Sequence, residues 1–478
     1  MSKDYSKYLK PDLNKARKRT KEKVEKIIYQ INEEALNIGL GKTYNVVTFG
    51  CQGNEADSEV ISGILENMGY NKNEDLASSD VIVVNTCAIR ENAENKFWGT
   101  IGSFKALKQN NPDLIIAICG CMAQEEKVIN NILAKYPQID IVFGTHNIHL
   151  LPDYILDHIN SSKKVINVFS NEGCIVENLP HVRVSNKKAW VNIMFGCDEF
   201  CTYCIVPYTR GRERSRDPED IINEVKQLVA AGYLEVTLLG QNVNAYGKDF
   251  KEKDYTFADL LIDLDKTGIT RIRYTTSHPR DLDQRTIEAM TLPSVMPHLH
   301  LPVQSGNNEV LKRMNRKYTR EEYLDKIRRL KELNPGISLT TDIIVGFPGE
   351  TEEQFLDTLS LVDEVGYEGA FTFIFSPRTG TPAATYEDLV SMEEKHNRLD
   401  RLHDKINQGY LDGNLRFVGK VVKVLVDGYS KNDPNMLNGY SEHNKLVNFK
   451  GDASKIGQIV NVMITEAKTW FLMGEEVE

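Results

Sequence analysis

Phe195-Gly196-Cys197-Asp198-Glu199-Phe200-Cys201-Thr202-Tyr203-Cys204 sets three thiols at C-x3-C-x2-C, directly after the apolar run 189–195. The run reads as a β-strand, and a backbone leaving a strand is free to curl and bring three sulfurs to one point. Thiolates are soft ligands that select zinc, copper(I) or iron–sulfur clusters over hard cations. Tetrahedral zinc takes four ligands, usually as two separated pairs, and no fourth Cys or His lies nearby in the sequence. Three ligands on a four-iron cluster leave one iron open, as a catalytic cluster requires. Structural cysteines, by contrast, are usually scattered through the core.

The strand before these thiols opens a series. From about 180 to 410 the chain reads as six strand–helix units, with further strands at 235–239, 271–275, 298–303, 338–345 and 370–375. Helix starts are signalled by Asp217-Pro218 and by Thr319-x-x-Glu322 and Thr351-x-x-Gln354, an N-cap with proline behind it and two capping boxes. Strict alternation means parallel strands, and six units make a partial (β/α)6 barrel, short of the full eight. Polar residues at the strand ends should line one mouth: Gln241, Asn242, Ser277, His278, Gln304, Ser305 and Asp342. Gly346 and Gly349 then allow backbone to approach a ligand closely.

Residues 43–170 read as a second α/β domain. Apolar runs at 44–49, 81–84 and 114–118 lie between helical patterns and each stops just short of a cysteine: Cys51, Cys87 and Cys121. Ligands in open parallel sheets gather at the carboxyl ends of strands, so these thiols should meet on one edge as a second three-thiolate site. Gly120-Cys121 repeats the Gly-Cys pairs at 50–51 and 196–197, which favours Cys121 over Cys119 as the third member. Cys119 is read as a buried strand thiol, and Cys174 receives no role.

Composition bounds the rest. Hydrophobic residues make up 41% of the 478 and charged residues 26%, which describes a globular chain of several domains. No apolar run reaches the roughly 20 residues of a membrane helix. The lysine-rich start lacks the apolar core of a secretory signal, and clustered thiols without one favour metal binding in a reducing cytoplasm. A formal charge of −10 argues against a uniformly basic nucleic-acid binder, although a local basic face stays open. Two basic runs are candidates. Lys15–Lys21 lies in a helical, basic extension over 1–42 whose Val24, Ile27, Ile28 and Ile31 recur at helical spacing. Arg210, Arg212 and Arg214 follow the thiol loop, where arginine forks could hold phosphate. The end of the chain, 413–478, alternates toward short strands and suggests a small antiparallel β-barrel, OB-like in size.

The thiol loop, with Tyr203 before its last Cys, resembles the radical S-adenosylmethionine (SAM) superfamily. That resemblance implies a [4Fe–4S] cluster on Cys197, Cys201 and Cys204, whose open iron binds SAM for reductive cleavage to a deoxyadenosyl radical. Thr48-Phe49-Gly50-Cys51-Gln52-Gly53-Asn54-Glu55, Asn85-Thr86-Cys87-Ala88-Ile89-Arg90-Glu91-Asn92 and Gly120-Cys121-Met122-Ala123-Gln124 narrow it to the methylthiotransferase family. A second [4Fe–4S] cluster on Cys51, Cys87 and Cys121 is implied, with a role in sulfur delivery; Gly53 stands where relatives usually carry a bulkier residue. By the same resemblance Tyr203, Gln241, Asn242, Ser277, Gln304 and Gly346 surround SAM and substrate. Gly439–Phe449 resembles a TRAM RNA-binding module, which makes Lys445 an RNA-contact candidate. The family branch implied acts at C2 of N6-isopentenyladenosine at position 37, in the anticodon loop of tRNA. Its partners would be that stem-loop, an electron donor such as flavodoxin or ferredoxin, and a sulfur- or cluster-delivery protein. Other branches act on threonylcarbamoyl-adenosine or a ribosomal-protein aspartate, and a non-catalytic, metal-stabilised RNA-binding protein is the reading from a different class.

Overall fold

A computed structural model describes residues 24–88, 91–168, 174–431 and 433–477. The basic run Lys15–Lys21 and the motif residues Ile89 and Arg90 lie outside them. The helix expected through Val24–Ile31 is not there. Lys26–Ile28 is a strand that pairs in parallel with Ile175–Glu177. Consecutive β-branched residues beside an available strand edge favour extended backbone, and this overrides the helical spacing.

The N-terminal sheet has six strands in the order Asn71–Lys72, Thr43–Phe49, Val81–Thr86, Ile115–Gly120, Ile141–Phe143, Val165–Asn167. Every pair is parallel. The strands before Cys87 and Cys121 are buried at every position, because helices cover both faces of a parallel sheet. The second strand in sequence adds to one side of the first and all later strands to the other. The order therefore reverses between Thr43–Phe49 and Val81–Thr86, the two strands that lead to Cys51 and Cys87. Loops diverge at such a switch point and leave a crevice at the strand ends.

Six barrel strands follow as two parallel triplets. Lys188–Asn192, Glu235–Leu239 and Arg271–Tyr274 form one, and His298–His300, Ser338–Val345 and Ala370–Ile374 the other. Among the described residues one bridge, Ile272 to Val295, spans the seam between the triplets, and Ala370–Ile374 has no strand on its outer side. The caps read from sequence all form: Asp217 accepts from the Glu219 amide, and Thr319/Glu322 and Thr351/Gln354 make reciprocal boxes. Past Asn192 the chain bends, and Met194–Phe195 pairs antiparallel with Arg214–Ser215. That ribbon clamps the thiol loop at both ends.

The C-terminal barrel closes with five strands, Val421–Tyr429, Leu437–Ser441, Leu446–Lys450, Ile459–Ala467 and Leu472–Val477. It is mixed rather than wholly antiparallel. The last strand forms a hairpin with Ile459–Ala467 and inserts beside Leu446–Lys450, to which it must then run parallel. This barrel docks on the (β/α)6 unit through two arginines of Arg271–Tyr274. Arg271 donates to the carbonyls of Tyr440 (3.0 Å) and Lys423 (2.9 Å), and Arg273 to those of Ser441 (2.7 Å) and Glu442 (3.1 Å). Glu235 balances their charge, accepting from Arg273 Nε at 3.0 Å. The N-terminal unit is tied on by a chain of ion pairs: Glu59–Arg183–Glu224–Arg216–Glu177.

Arg271→Ala would remove the guanidinium from two part-buried carbonyls and from beside the buried Glu235, at a cost of about 2–4 kcal/mol. Limited proteolysis should then release the C-terminal barrel faster than from the parent chain, with the remainder equally resistant.

Candidate active site

Cys197, Cys201 and Cys204 converge because glycine and a left-handed residue turn the loop. Gly196 has φ +79°, and a Cβ there would lie 2.0 Å from the Arg212 carbonyl oxygen. Phe200 takes φ +47°. The Cys197 amide donates to Gly211 O (3.1 Å) and the Cys204 amide to Cys201 O (3.0 Å). Burial raises the Cys197 thiol well above its ordinary value, and the nearby Cys201, Glu213 and Cys204 raise it further. Burial, then Cys201, pushes Cys204 up to about 12. Arg316 is the compensating charge: its guanidinium points at Cys201 Sγ (3.5 Å) and donates to Pro302 O (2.5 Å). Three neighbouring soft donors, of which Cys197 and Cys204 resist ionising alone, suit a multivalent metal site, where metal would replace the protons.

Cys51, Cys87 and Cys121 form the second triad. Gly120 has φ +95°, and a Cβ there would lie 2.3 Å from Thr86 O. The turn ends the strand and swings Cys121 away from Cys119, which stays wholly buried on the opposite side of the sheet. Cys51 is held down to about 5, first by a hydrogen bond from the Cys87 thiol and then by Arg210, against burial. Cys121 is raised by burial, with Arg210 opposing. Behind the triad sits a closed amide network. Asn54 Nδ2 donates to Asn85 Oδ1 (3.0 Å), and Asn85 Nδ2 to Asn54 O (2.8 Å) and Ser58 Oγ (3.0 Å).

The arginine run is not a phosphate-facing surface. Arg210 is buried, donating from Nε to Cys121 Sγ (3.3 Å) and from Nη2 to Asp57 (2.6 Å). Arg212 forks onto Asp198 at 2.6 and 2.9 Å, and Arg214 is buried against the Arg210 and Arg212 carbonyls. Lys445 is likewise engaged, pairing with Glu368 at 2.9 Å. Each charge sits where it is desolvated and so takes a carboxylate, carbonyl or sulfur partner from the fold. Residues 210–212 thus touch both triads: Arg210 reaches Cys121, while Gly211 and Arg212 hold the loop of Cys197.

The strand-end residues divide. Asn242 Oδ1, Ser277 Oγ and His278 Nε2 are buried with no hydrogen-bond partner, a costly state that a polar ligand would relieve. Burial, and then Arg316 and Arg280, hold His278 well below its ordinary value. Glu199, His278 and Asp281 cluster beneath the thiol loop. Arg280 pairs with Glu199, and Lys248 with Asp281, so the carboxylates already have cations. Gln241 accepts from the Gly196 amide (2.5 Å) and fixes the loop. Gln304, at φ +70°, is bridged by backbone to Asp342 and Ile344. Gly346 and Gly349 do permit close approach, but by Lys395 and Arg313 of the chain itself. Tyr203 packs among Val310, Met314, Phe347 and Phe375. Cys174 lines a cavity of about 80 Å³ shared with Asp57, His146, Arg210 and Arg214.

Sequence reading gave no individual role to Asn54, Asp57, Asn85 or Arg316. Asn54 and Asp57 sit at helical spacing on the first turns after Cys51, a polar pair on a face otherwise buried, which is a usable signal. Arg316 carries none; its approach to Cys201 spans 115 residues.

A six-strand partial barrel with three thiols on its first loop defines a radical SAM protein, and residues 191–362 match the radical SAM superfamily. Residues 43–144 match the uncharacterized protein family UPF0004, and 415–477 the TRAM domain. The chain belongs to the tRNA-2-methylthio-N(6)-dimethylallyladenosine synthase family. It is 56% identical to the protein of that name from Anoxybacillus flavithermus, over all of this chain and 92% of the relative. It is 57% identical to that from Oceanobacillus iheyensis, over 98% and 91%. In fold it is similar to the radical SAM methyltransferase TsrM of Kitasatospora setae, with TM-score 0.53, 14% identity, and 72% and 75% of the two chains covered. Among the described residues no helix is long and apolar enough to cross a membrane.

Gly120→Ala combines a left-handed backbone with a clash and should cost about 2–4 kcal/mol. Thermal unfolding should show a clearly lower midpoint. Gly53→Ala is the control: its added Cβ meets nothing nearer than Cys51 Sγ at 3.6 Å, so the midpoint should hardly move.

Proposed function

We propose that this chain inserts a methylthio group at C2 of N6-dimethylallyladenosine at position 37 of tRNA, beside the anticodon. Full-length identity of 56–57% to relatives named for that reaction carries the reading. The paired cysteine triads on either side of Arg210–Arg212 support it. Cys197, Cys201 and Cys204 would hold a [4Fe–4S] cluster and, through it, SAM. Cys51, Cys87 and Cys121 would hold the second. Once loaded, these groups supply reductive SAM cleavage at the first triad and sulfur chemistry at the second.

The chain's own residues set the conditions. Arg316 and Arg210 each aim a guanidinium at one sulfur of a triad and offset negative charge in a desolvated site. Asn242, Ser277 and His278 offer SAM the polar atoms that now lack partners. Gln241, Asp198 and Glu213 hold the thiol loop in shape: the Asp198 amide donates to Glu213 (3.1 Å) and the Glu213 amide to Asp198 (3.1 Å). An aromatic C–H gives acid–base chemistry little to act on, and a buried radical site answers that need. Position 37 suits it, because unstacked loop bases can be splayed into a pocket. With Arg210, Arg212, Arg214 and Lys445 engaged internally, RNA contact falls to exposed TRAM residues such as Tyr429 and Trp470, whose rings can stack on bases. An electron donor such as flavodoxin or ferredoxin and a sulfur- or cluster-delivery protein complete the reaction, in the reducing cytoplasm where its thiols persist.

The test is anaerobic turnover of the reconstituted chain with SAM, reductant, sulfide and prenylated tRNA, read by nucleoside mass spectrometry. A methylthio product is expected. Deoxyadenosine without that product would keep the radical enzyme and reject the substrate; neither product, from protein holding both clusters, would reject the reading. Cys197→Ala should abolish SAM cleavage. Cys51→Ala should retain part of the cleavage and lose the methylthio product; a normal product yield from it would sink the second-cluster assignment.

A further inference from the structure

Two large apolar side chains stand largely in solvent. Phe371 is 57% exposed and Phe373 42%, although both lie within a barrel strand. Alternation along Ala370–Ile374 shows which way they face. Ala370 and Ile374 pack against the core shared by strands and helices, and Thr372 Oγ1 meets His403 of the flanking helix at 2.8 Å. Phe371 and Phe373 therefore point into the barrel. The neighbouring strand agrees: Leu339, Ile343 and Val345 join the same core, and Thr340, Asp342 and Ile344 look inward. The register sets Phe371 beside Asp342 and Phe373 beside Ile344. In parallel strands such partners share a face.

The slot has a graded character. Toward the mouth, Ile344 and Tyr203 of the thiol loop pack against one cluster containing Phe347 and Phe375, so the apolar end reaches the first cysteine triad. Deeper, His300 meets Phe371 edge-on (5.9 Å, 74°) and approaches Asp342 at 3.2 Å. Because Ala370–Ile374 is the free edge of an incomplete barrel, the slot opens sideways to solvent.

The geometry points to Phe371 and Phe373 as the residues that select the N6 substituent of the target base, a specificity role that rests on the function proposed above. A purine face can stack on an aromatic ring, and a branched five-carbon prenyl chain is neutral and apolar. Phe373 and Ile344 give that chain a place out of water, at about 25 cal/mol per Å² of apolar surface removed. A threonylcarbamoyl substituent carries a carboxylate. Beside Asp342 it meets a second carboxylate, which His300 offsets only when protonated, and its polar atoms gain no partner from Phe373 and Ile344. Charge and polarity thus favour the prenylated base over the plain and the anionic ones.

The experiment uses the full chain with both triads loaded. Anticodon stem-loop RNAs carry plain, dimethylallyl or threonylcarbamoyl adenosine at the target position. Equilibrium binding by anisotropy is paired with product analysis. Phe373→Ala should cut the preference for prenylated over plain RNA by about tenfold, the scale of discrimination apolar pockets achieve. Phe373→Leu should restore most of it, and Phe371→Ala should weaken the preference in the same direction. Cluster absorption identical to the parent's guards against a misfolded variant. If such an intact Phe373→Ala protein keeps the parent's full preference, the inference is overturned while the proposed function stands. If the parent itself methylthiolates threonylcarbamoyl RNA and not prenylated RNA, both fail together.

Discussion

The guanidinium of Arg210 is the constraint on which the two halves of the site depend. It is buried, and a buried cation survives only when its charge and its hydrogen bonds are met. Asp57 and Cys121 come from the N-terminal domain, on the helix Gln52–Asn67 and the turn after Gly120, whereas Arg210 follows the thiol loop of the barrel. Satisfying one side chain therefore fixes the distance and angle between two domains. Gly211 and Arg212 carry the constraint onward, holding Cys197 and Asp198. Neither triad can drift without leaving a charge uncompensated in a low-dielectric site.

Positioning elsewhere follows the same logic of strand ends and forced turns. Gly120 and Gly196 leave their strands in backbone regions where a Cβ would strike a carbonyl, and each delivers the next residue, a cysteine, to the ligand side. The N-terminal triad lies at the reversal of strand order, where a parallel sheet opens by topology alone. In the barrel, stopping at six strands leaves Ala370–Ile374 as an edge, which opens the inward-facing Phe371 and Phe373 to solvent.

The TRAM barrel is fixed to the other end of the same strands. Arg271 and Arg273 cap its backbone carbonyls, so an RNA held on TRAM is presented to a site of set orientation. Lys445, which TRAM similarity suggests for RNA, instead balances Glu368 at this seam. An interface that buries cations removes them from the pool available to phosphate.

Much was determined by the sequence alone. The cysteines, four of them just past a strand end and two more in the same loop as Cys197, the capping boxes and the β-strand alternation are local signals, since hydrogen-bond geometry and side-chain period act over a few residues. They predict the six strands of the radical SAM barrel to within three residues at either end. What only the tertiary structure decided was the destination of charge. Arg210, Arg212 and Arg214 look like a basic surface in one dimension, but Asp57 and Cys121, the partners of Arg210, and Asp198, the partner of Arg212, lie 14 to 153 residues away, and Arg214 turns inward onto nearby carbonyls. The strand at Lys26–Ile28 is the same case, made by pairing with Ile175–Glu177 against its own helical spacing. So is the parallel closure of the last barrel, since which edge a strand meets is a property of the folded whole.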